Sequence, residues 1–417
     1  MSSPIPISLP RSKSIVIRCL IVNYLRTGTL LPVFENDPND IKIVYNALKI
    51  IDSQKKNNAE EESVIDVQDC GAAYRFLMAV LATMPGKWLL TGTPRLLQRP
   101  ILPLVNFLNT HGASIQKTEL GWKINGTELQ IDDFEISTSE TSQFASAVMM
   151  IKGEKKKEVG ALRAMPRDIR NDERKSPSNF EGVACEARRG SLYENPYIKM
   201  TETIMYRRDV LQYAPMLSDW SAAIFWLADA LLKPNAYYLL KNLHFDGFQG
   251  DAEIVPYFKK WGLSFTESEY GIEIKHTYNV EIPEQKIDVA QMPDIAMVLA
   301  VLSVCYPFKL TMSGLKSLNL KESNRLDILV NELSKFTTVN KHSEEVITIY
   351  KRIDELPKVF HFDSYNDHRF VMAWSLFRNF GSVDIQNPEC VKKSYPEFLN
   401  IINDVFLKIA TSPPQRN

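Results

Sequence analysis

One order of elements recurs along this 417-residue chain, and it restricts the possible folds more than any other feature. Residues 89–115 read as a strand, a turn at Gly92, a basic loop ending at Arg99, a helix through Leu108 and a stop at Gly112 before the next strand. Residues 310–336 follow the same order, with Gly314 at the turn and Arg325 opening the helix. Residues 244–263 repeat the turn, the helix and the glycine stop. Between these copies short β-rich runs alternate with amphipathic helical segments, the pattern of an α/β chain with interleaved strands and helices. Copies on both sides of the middle predict two domains built alike.

A length of 417 residues and a hydrophobic content of 45% leave room for two or three domains with real cores. The apolar stretch 222–232 is interrupted by Asp229 and the stretch 295–306 falls short of the roughly 18 residues a membrane span needs, so no span is expected. Arg18 interrupts 15–25, the only candidate for a leader, which predicts a cytoplasmic protein. Cys19, Cys70, Cys185, Cys305 and Cys390 are odd in number and widely spaced, against both a disulfide frame and a zinc site. In 151–190, 18 of 40 residues are charged (11 basic, 7 acidic), and this composition predicts a solvated insertion. That segment lacks the interleaved aromatics of a nucleic-acid arm.

Against a net charge of only -1, the basic residues Lys13, Arg18, Arg75, Arg99, Arg325, Arg369 and Lys393 stand in contexts that suit phosphate or carboxylate recognition. Ser12-Lys13-Ser14 starts a helical run with Arg18 one turn in, and free N–H groups there attract anions. Gly71, Ala72 and Ala73 let backbone approach a ligand before Arg75, and Arg99 precedes a proline expected to start the following helix. Thr141-Ser142-Gln143 places hydroxyls at another helix start. In the C-terminal half, Pro293-Asp294 precedes an apolar helix, and the segments 321–325, 366–369 and 392–396 add cations and carboxylates.

In this order the motifs resemble those of the 5-enolpyruvylshikimate-3-phosphate synthases, the enolpyruvyl transferases of the shikimate pathway. The family's Ser-Lys-Ser with an arginine four residues on is matched by Ser12, Lys13, Ser14 and Arg18, and its Gly-Thr-Ala-x-Arg by Gly71 to Arg75. Arg99-Pro100, Thr141-Ser142-Gln143, Pro196 to Thr201, Gln249-Gly250-Asp251 and Met292 to Asp294 match further segments. Lys321 to Arg325, Asp367-His368-Arg369 and Lys393 to Pro396 complete the series. The likeness covers nearly all of the chain outside 151–190. A related enolpyruvyl transferase acting on UDP-N-acetylglucosamine carries a reactive cysteine where this chain has 95–99 without one.

The resemblance implies two similar domains, each of three βαβαββ units, joined by crossovers near Pro10 and near Asp219-Trp220-Ser221, with the active site in the cleft between them. The boundaries expected are 10–218 for the first domain and 1–9 with 219–417 for the second. It implies a monomer that needs no cofactor and no metal, and that acts on phosphoenolpyruvate and shikimate 3-phosphate, not on nucleic acid or membrane. Of the catalytic residues Lys13, Asp294 and Glu322, Lys13 and Glu322 would serve proton transfer and Asp294 would contact the attacking hydroxyl. Lys13, Gly71, Arg99, Gln143, Arg325, Arg369 and Lys393 would hold phosphoenolpyruvate. Ser14, Arg18, Thr141, Ser142, Gln143, Tyr197, Asp294 and Lys321 would hold shikimate 3-phosphate.

The chain departs from the pattern at Arg11 (usually glycine), Ala72 (threonine), Asn324 (aspartate) and Glu194 (serine). Its spacing is longer than usual from Gln143 to Tyr197 and shorter from Thr201 to Asp219. A carboxylate at Glu194 would repel a substrate phosphate, which keeps as the alternative a non-catalytic or impaired descendant that binds anionic ligands or a partner. The intact Lys13, Asp294, Glu322, Arg325 and Arg369 favour a working transferase.

Overall fold

The structure, a computed structural model, describes residues 3–57, 61–131, 134–138, 140–152, 195–207 and 209–411. Glu194, Cys185 and nearly all of the charged segment 151–190 lie outside the described residues.

The recurrent order of the sequence becomes a recurrent sheet. Strand Ser63–Asp66 runs parallel to Gly86–Thr91 across the helix Gly71–Thr83, and after the helix Leu102–Thr110 the hairpin Ser114–Lys117 and Trp122–Gly126 adds antiparallel to Gly86–Thr91. Strand alternation sends Trp88, Leu90, Trp122 and Ile124 inward onto that helix, which is buried along nearly its whole length. The same βαβαββ course is traced by Gln285–Asp288, Ala296–Cys305, Leu310–Ser313, Arg325–Leu333, Val339–Lys341 and Ile347–Ile349. It is traced again by Ile5–Ile7, Trp220–Leu232, Tyr237–Lys241, Val255–Lys260, Leu263–Ser268 and Gly271–His276. In this third unit the first strand pairs Ile5 with Tyr238 and Ile7 with Leu240, so everything from 13 to 217 is an excursion between a strand and its helix. A parallel pair, Val359–Asp363 and Ser382–Gln386, enclosing the helix His368–Trp374, gives the first half of a fourth. Elsewhere the described residues supply helices, among them Lys13–Thr27, Asn39–Asn57, Gln143–Lys152 and Pro196–Tyr206. The fold is mixed α/β, as expected.

Buried apolar side chains form two clusters. One gathers residues from Ile15 to Leu217 with Phe248, the other Ile7 with residues from Trp220 to Val405. The chain passes between them twice, and the two passages lie side by side. Asp219 N donates to Pro10 O at 3.0 Å and Ser12 N to Leu217 O at 2.8 Å. Arg11, where a glycine was expected, braces this crossing. Its Nε donates to Asp37 Oδ1 at 2.6 Å, its Nη1 to Pro215 O at 3.0 Å, and its guanidinium lies 4.5 Å from the centre of the Phe34 ring.

Candidate active site

Helix starts and short turns on both sides of the crossing deliver the charged side chains. Lys13 opens its helix directly after the crossing, and Asp40 lies in the first turn of Asn39–Asn57, where its Oδ2 accepts from Lys13 Nζ at 3.0 Å. Arg325 opens the helix Arg325–Leu333, and Asp294 sits in the turn Pro293–Ile295. Asp367 caps the helix His368–Trp374 by accepting from Arg369 N at 3.0 Å, and Lys393 ends the turn Pro388–Lys393.

These groups meet. Arg325 donates to Asp367 through Nε at 2.7 Å and Nη2 at 3.1 Å, to Asp294 at 2.9 Å and to Glu322 at 3.0 Å. Asp294 also faces Arg369 at 3.3 Å and Lys321 at 3.5 Å. Glu322 faces Lys393 at 3.4 Å and Arg99 at 3.7 Å, and Lys393 donates to Asp69 Oδ2 at 2.6 Å. Arg99 also donates to Leu320 O at 3.1 Å, and Arg95 Nη2 to Asn324 Oδ1 at 3.0 Å. Six cations (Lys13, Arg99, Lys321, Arg325, Arg369, Lys393) thus surround five carboxylates (Asp40, Asp69, Asp294, Glu322, Asp367). Gly71 lies beneath Arg99, where a Cβ would stand 2.4 Å from Arg99 Nη1.

The electrostatics follow from this packing. Burial alone would push Asp294 and Glu322 up, yet Lys321, Arg369 and Arg325 around the first, and Lys393, Arg325 and Arg99 around the second, hold both well below the usual carboxylate range. Burial works against a charge on Lys13, but Asp40 and Glu322 outweigh it and its pKa is raised. Burial lowers Lys321, with Asp294 opposing. His368 is pushed well below its ordinary value by burial and by the neighbouring Lys13 and Arg369, and neither ring nitrogen has a hydrogen-bond partner.

An adjoining group lies on the N-terminal side. Arg18 is buried and donates to Thr201 Oγ1 at 2.7 Å, Ser14 O at 2.8 Å and Ser146 Oγ at 3.4 Å. Arg75 donates to Gln143 Oε1 at 2.9 Å and Gly71 O at 3.2 Å. Neither guanidinium pairs with a carboxylate among the described residues, and burial lowers them to about 10 and about 9 respectively. Thr141 and Ser142 stand at the start of Gln143–Lys152, Thr141 Oγ1 accepting from Gln143 N at 3.2 Å, and Tyr197 follows the Asn195 cap of Pro196–Tyr206. Sequence reasoning therefore selected residues that fall into one ion cluster and one neighbouring shelf, but it gave no role to the counter-ions Asp40 and Asp69, and named Asp367 and the buried His368 only as members of a motif. Asp367 had a legible signal, a helix cap before an apolar run. One expectation is corrected: Pro100 does not start the helix after Arg99, because Ile101 caps it and Leu102 begins it.

The described residues include no group of three His, Cys, Asp or Glu side chains placed to hold a metal ion, and no helix among them is long and apolar enough to cross a membrane.

Comparison with known proteins gives a consistent pattern. A sequence model of EPSP synthase (3-phosphoshikimate 1-carboxyvinyltransferase) matches residues 40–402. A Bacteroides fragilis protein named 3-phosphoshikimate 1-carboxyvinyltransferase is 30% identical, covering 94% of this chain and 93% of its own. One of the same name from Aliivibrio fischeri is 28% identical with 96% of each covered. In fold, the chain is similar to the solved EPSP synthase of Acinetobacter baumannii (TM-score 0.60, 18% identity, 96% and 95% covered). It is also similar to the enolpyruvyl transferase NikO of Streptomyces tendae (TM-score 0.61, 11% identity, 97% and 95% covered).

Proposed function

The chain belongs to the EPSP synthase family, and from that membership we propose that it transfers the enolpyruvyl group of phosphoenolpyruvate to the 5-hydroxyl of shikimate 3-phosphate, releasing inorganic phosphate in aromatic amino-acid biosynthesis. The observation that carries this reading is the cluster of six cations whose charge is met by the protein's own carboxylates. Beside it two buried guanidiniums, Arg18 and Arg75, form no ion pair with a carboxylate among the described residues. Such a site suits two substrates that both carry phosphate and carboxylate groups.

The hydroxyl oxygen attacks the substituted carbon of phosphoenolpyruvate while a proton reaches its methylene carbon, giving a tetrahedral intermediate. Loss of a proton from the new methyl group and of phosphate then restores the double bond. Lys13, kept charged by Asp40 and Glu322, is suited to give a proton, and the ionised Asp294 to accept the hydroxyl proton. Glu322 is ionised while Lys393, Arg325 and Arg99 surround it. Phosphate and carboxylate groups that take over those cations would let its pKa rise toward a working acid. Gly71, Arg99, Gln143, Arg325, Arg369 and Lys393 are assigned to phosphoenolpyruvate, and Ser14, Arg18, Thr141, Ser142, Tyr197 and Lys321 to shikimate 3-phosphate. The two apolar cores support domains of 10–218 and of 1–9 with 219–417. That the protein acts as a monomer in the cytoplasm is part of the same proposal and rests on family membership alone.

The test is phosphate release by purified protein given both substrates, with each omitted in turn. Release that needs both establishes the activity, and none from folded protein refutes it. Lys13→Ala and Glu322→Ala are each expected to abolish turnover, and a near-normal rate in either would remove that residue from the mechanism.

A further inference from the structure

The Gln249-Gly250-Asp251 triplet has no part in the reading above, yet it touches three things the site depends on. Gln249 brackets the second chain crossing, its Nε2 donating to Ser218 O at 3.0 Å and its Oε1 accepting from Trp220 N at 3.2 Å. Gly250 lies against the start of the helix that carries Tyr197, so closely that a Cβ would stand 2.5 Å from Pro196 Cγ. Asp251 is buried and accepts through Oδ2 from Ser221 Oγ, while its Oδ1 has no partner.

Asp251 lines a small cavity together with Ser12, Ser14 and Tyr197, with space for one water-sized group. Ser12 Oγ, also buried, is a second polar atom without a partner there. The ionisable groups around Asp251 come from four elements: Asp219 at the crossing, Asp294 in the turn Pro293–Ile295, Arg369 in the helix His368–Trp374 and Tyr197 in the helix Pro196–Tyr206. Arg369 turns its Nη1 to Ser221 O at 3.0 Å and its Nη2 to Asp294 at 3.3 Å, and no cation among the described residues forms an ion pair with Asp251. A carboxyl group enclosed in this way, facing two other carboxylates and lacking a cation of its own, is more stable with its proton on. In agreement, burial first and the charge of Asp294 second push it up to about 7.

We propose that Asp251 is a specificity-determining residue that works uncharged: Oδ2 accepts from Ser221, and the Oδ1 hydroxyl donates to an acceptor oxygen of the phosphorylated hydroxy acid held by Ser14 and Tyr197. This rests on the reading that shikimate 3-phosphate is the substrate. Ionisation of Asp251 would remove the donor and set a second negative charge against an anionic ligand, so binding weakens as pH rises through its pKa. Asparagine offers the same acceptor and donor and cannot ionise.

The experiment is calorimetric titration of the full chain with shikimate 3-phosphate alone, from pH 6 to pH 8.5, for the wild type, Asp251→Asn and Asp251→Ala. The ligand's own phosphate titrates near about pH 6 for all three, so proteins are compared at each pH. Asp251→Asn is expected to match the wild type within about threefold at pH 6 and Asp251→Ala to bind about tenfold more weakly. Between pH 6 and pH 8.5 the wild type is expected to lose about tenfold more affinity than Asp251→Asn. If Asp251→Asn binds as poorly as Asp251→Ala at pH 6, or declines in parallel with the wild type, the proposal is overturned while the substrate assignment stands. If the wild type binds none of the ligand at any pH, both fall. Should Asp251→Ala fail to fold, the isosteric Asp251→Asn still decides the matter.

Discussion

Single residues show where charge reading from sequence succeeds and where it stops. Arg325 and Arg369 were legible because each stands at a helix start behind a polar residue, Arg99 and Lys393 because each lies in a matched motif, and all four converge. Asp40 and Asp69 were not, because nothing local distinguishes them: their significance is a contact with Lys13 or Lys393 from a distant part of the chain. Gly71 is a case where the structure supplies the reason. The Arg99 guanidinium occupies the volume a side chain would need, with its Cζ 2.8 Å from the position of a Cβ. Gly71→Ala is expected to displace that guanidinium from Glu322 and raise the KM for phosphoenolpyruvate about tenfold, a loss of about 1.4 kcal/mol of binding. The thermal midpoint should move by no more than a few degrees. Unchanged KM would show that Arg99 does not bind that substrate.

Among elements, the recurrent βαβαββ course was legible because periodicity switches from strand to helix between glycine stops, and all three sequence copies fall inside observed units. The boundary after Arg99 was misplaced because proline marks the neighbourhood of a helix start without fixing it, and a second proline, Pro103, occupies the first turn instead. The paired crossing was foreseen only by resemblance, and its brace at Arg11 not at all. Asp37 has a side-chain exposure of only 3%, so removing its partner leaves a buried carboxylate unpaired. Arg11→Gly, which restores the residue usual at that position, is expected to destabilise this chain by about 3 kcal/mol in chemical denaturation. A cost below about 0.5 kcal/mol would mean the pair is incidental.

For the molecule as a whole, the same ion cluster that prepares the site makes folding sensitive to acid. His368 is held below its ordinary value in the folded chain, so the unfolded chain binds the extra proton first, and stability falls as pH drops through about 6.5. Asp294 and Glu322 are also held low, and their contribution, complete above about pH 4, is lost as pH falls further. Asp251, raised to about 7, works in the opposite sense between about pH 4 and pH 7. The His368 contribution is therefore read as a difference in chemical denaturation from pH 8 to pH 4: relative to His368→Asn, the unaltered protein should lose up to about 1.4 kcal/mol per pH unit below about pH 6.5. Parallel profiles for the two proteins would mean that His368 protonates in place.

The pairing of Ile5–Ile7 with Tyr237–Lys241 also sets a schedule for synthesis. The leading strand leaves the ribosome early, but its partner is made only after the whole stretch whose side chains build the core from Ile15 to Leu217. Domains fold as they emerge, so that first core can condense while the leading strand waits unpaired at its edge. The side-by-side passages at Pro10 and Asp219 then bring the early strand to the late one, and a strand made before that core is paired only after it.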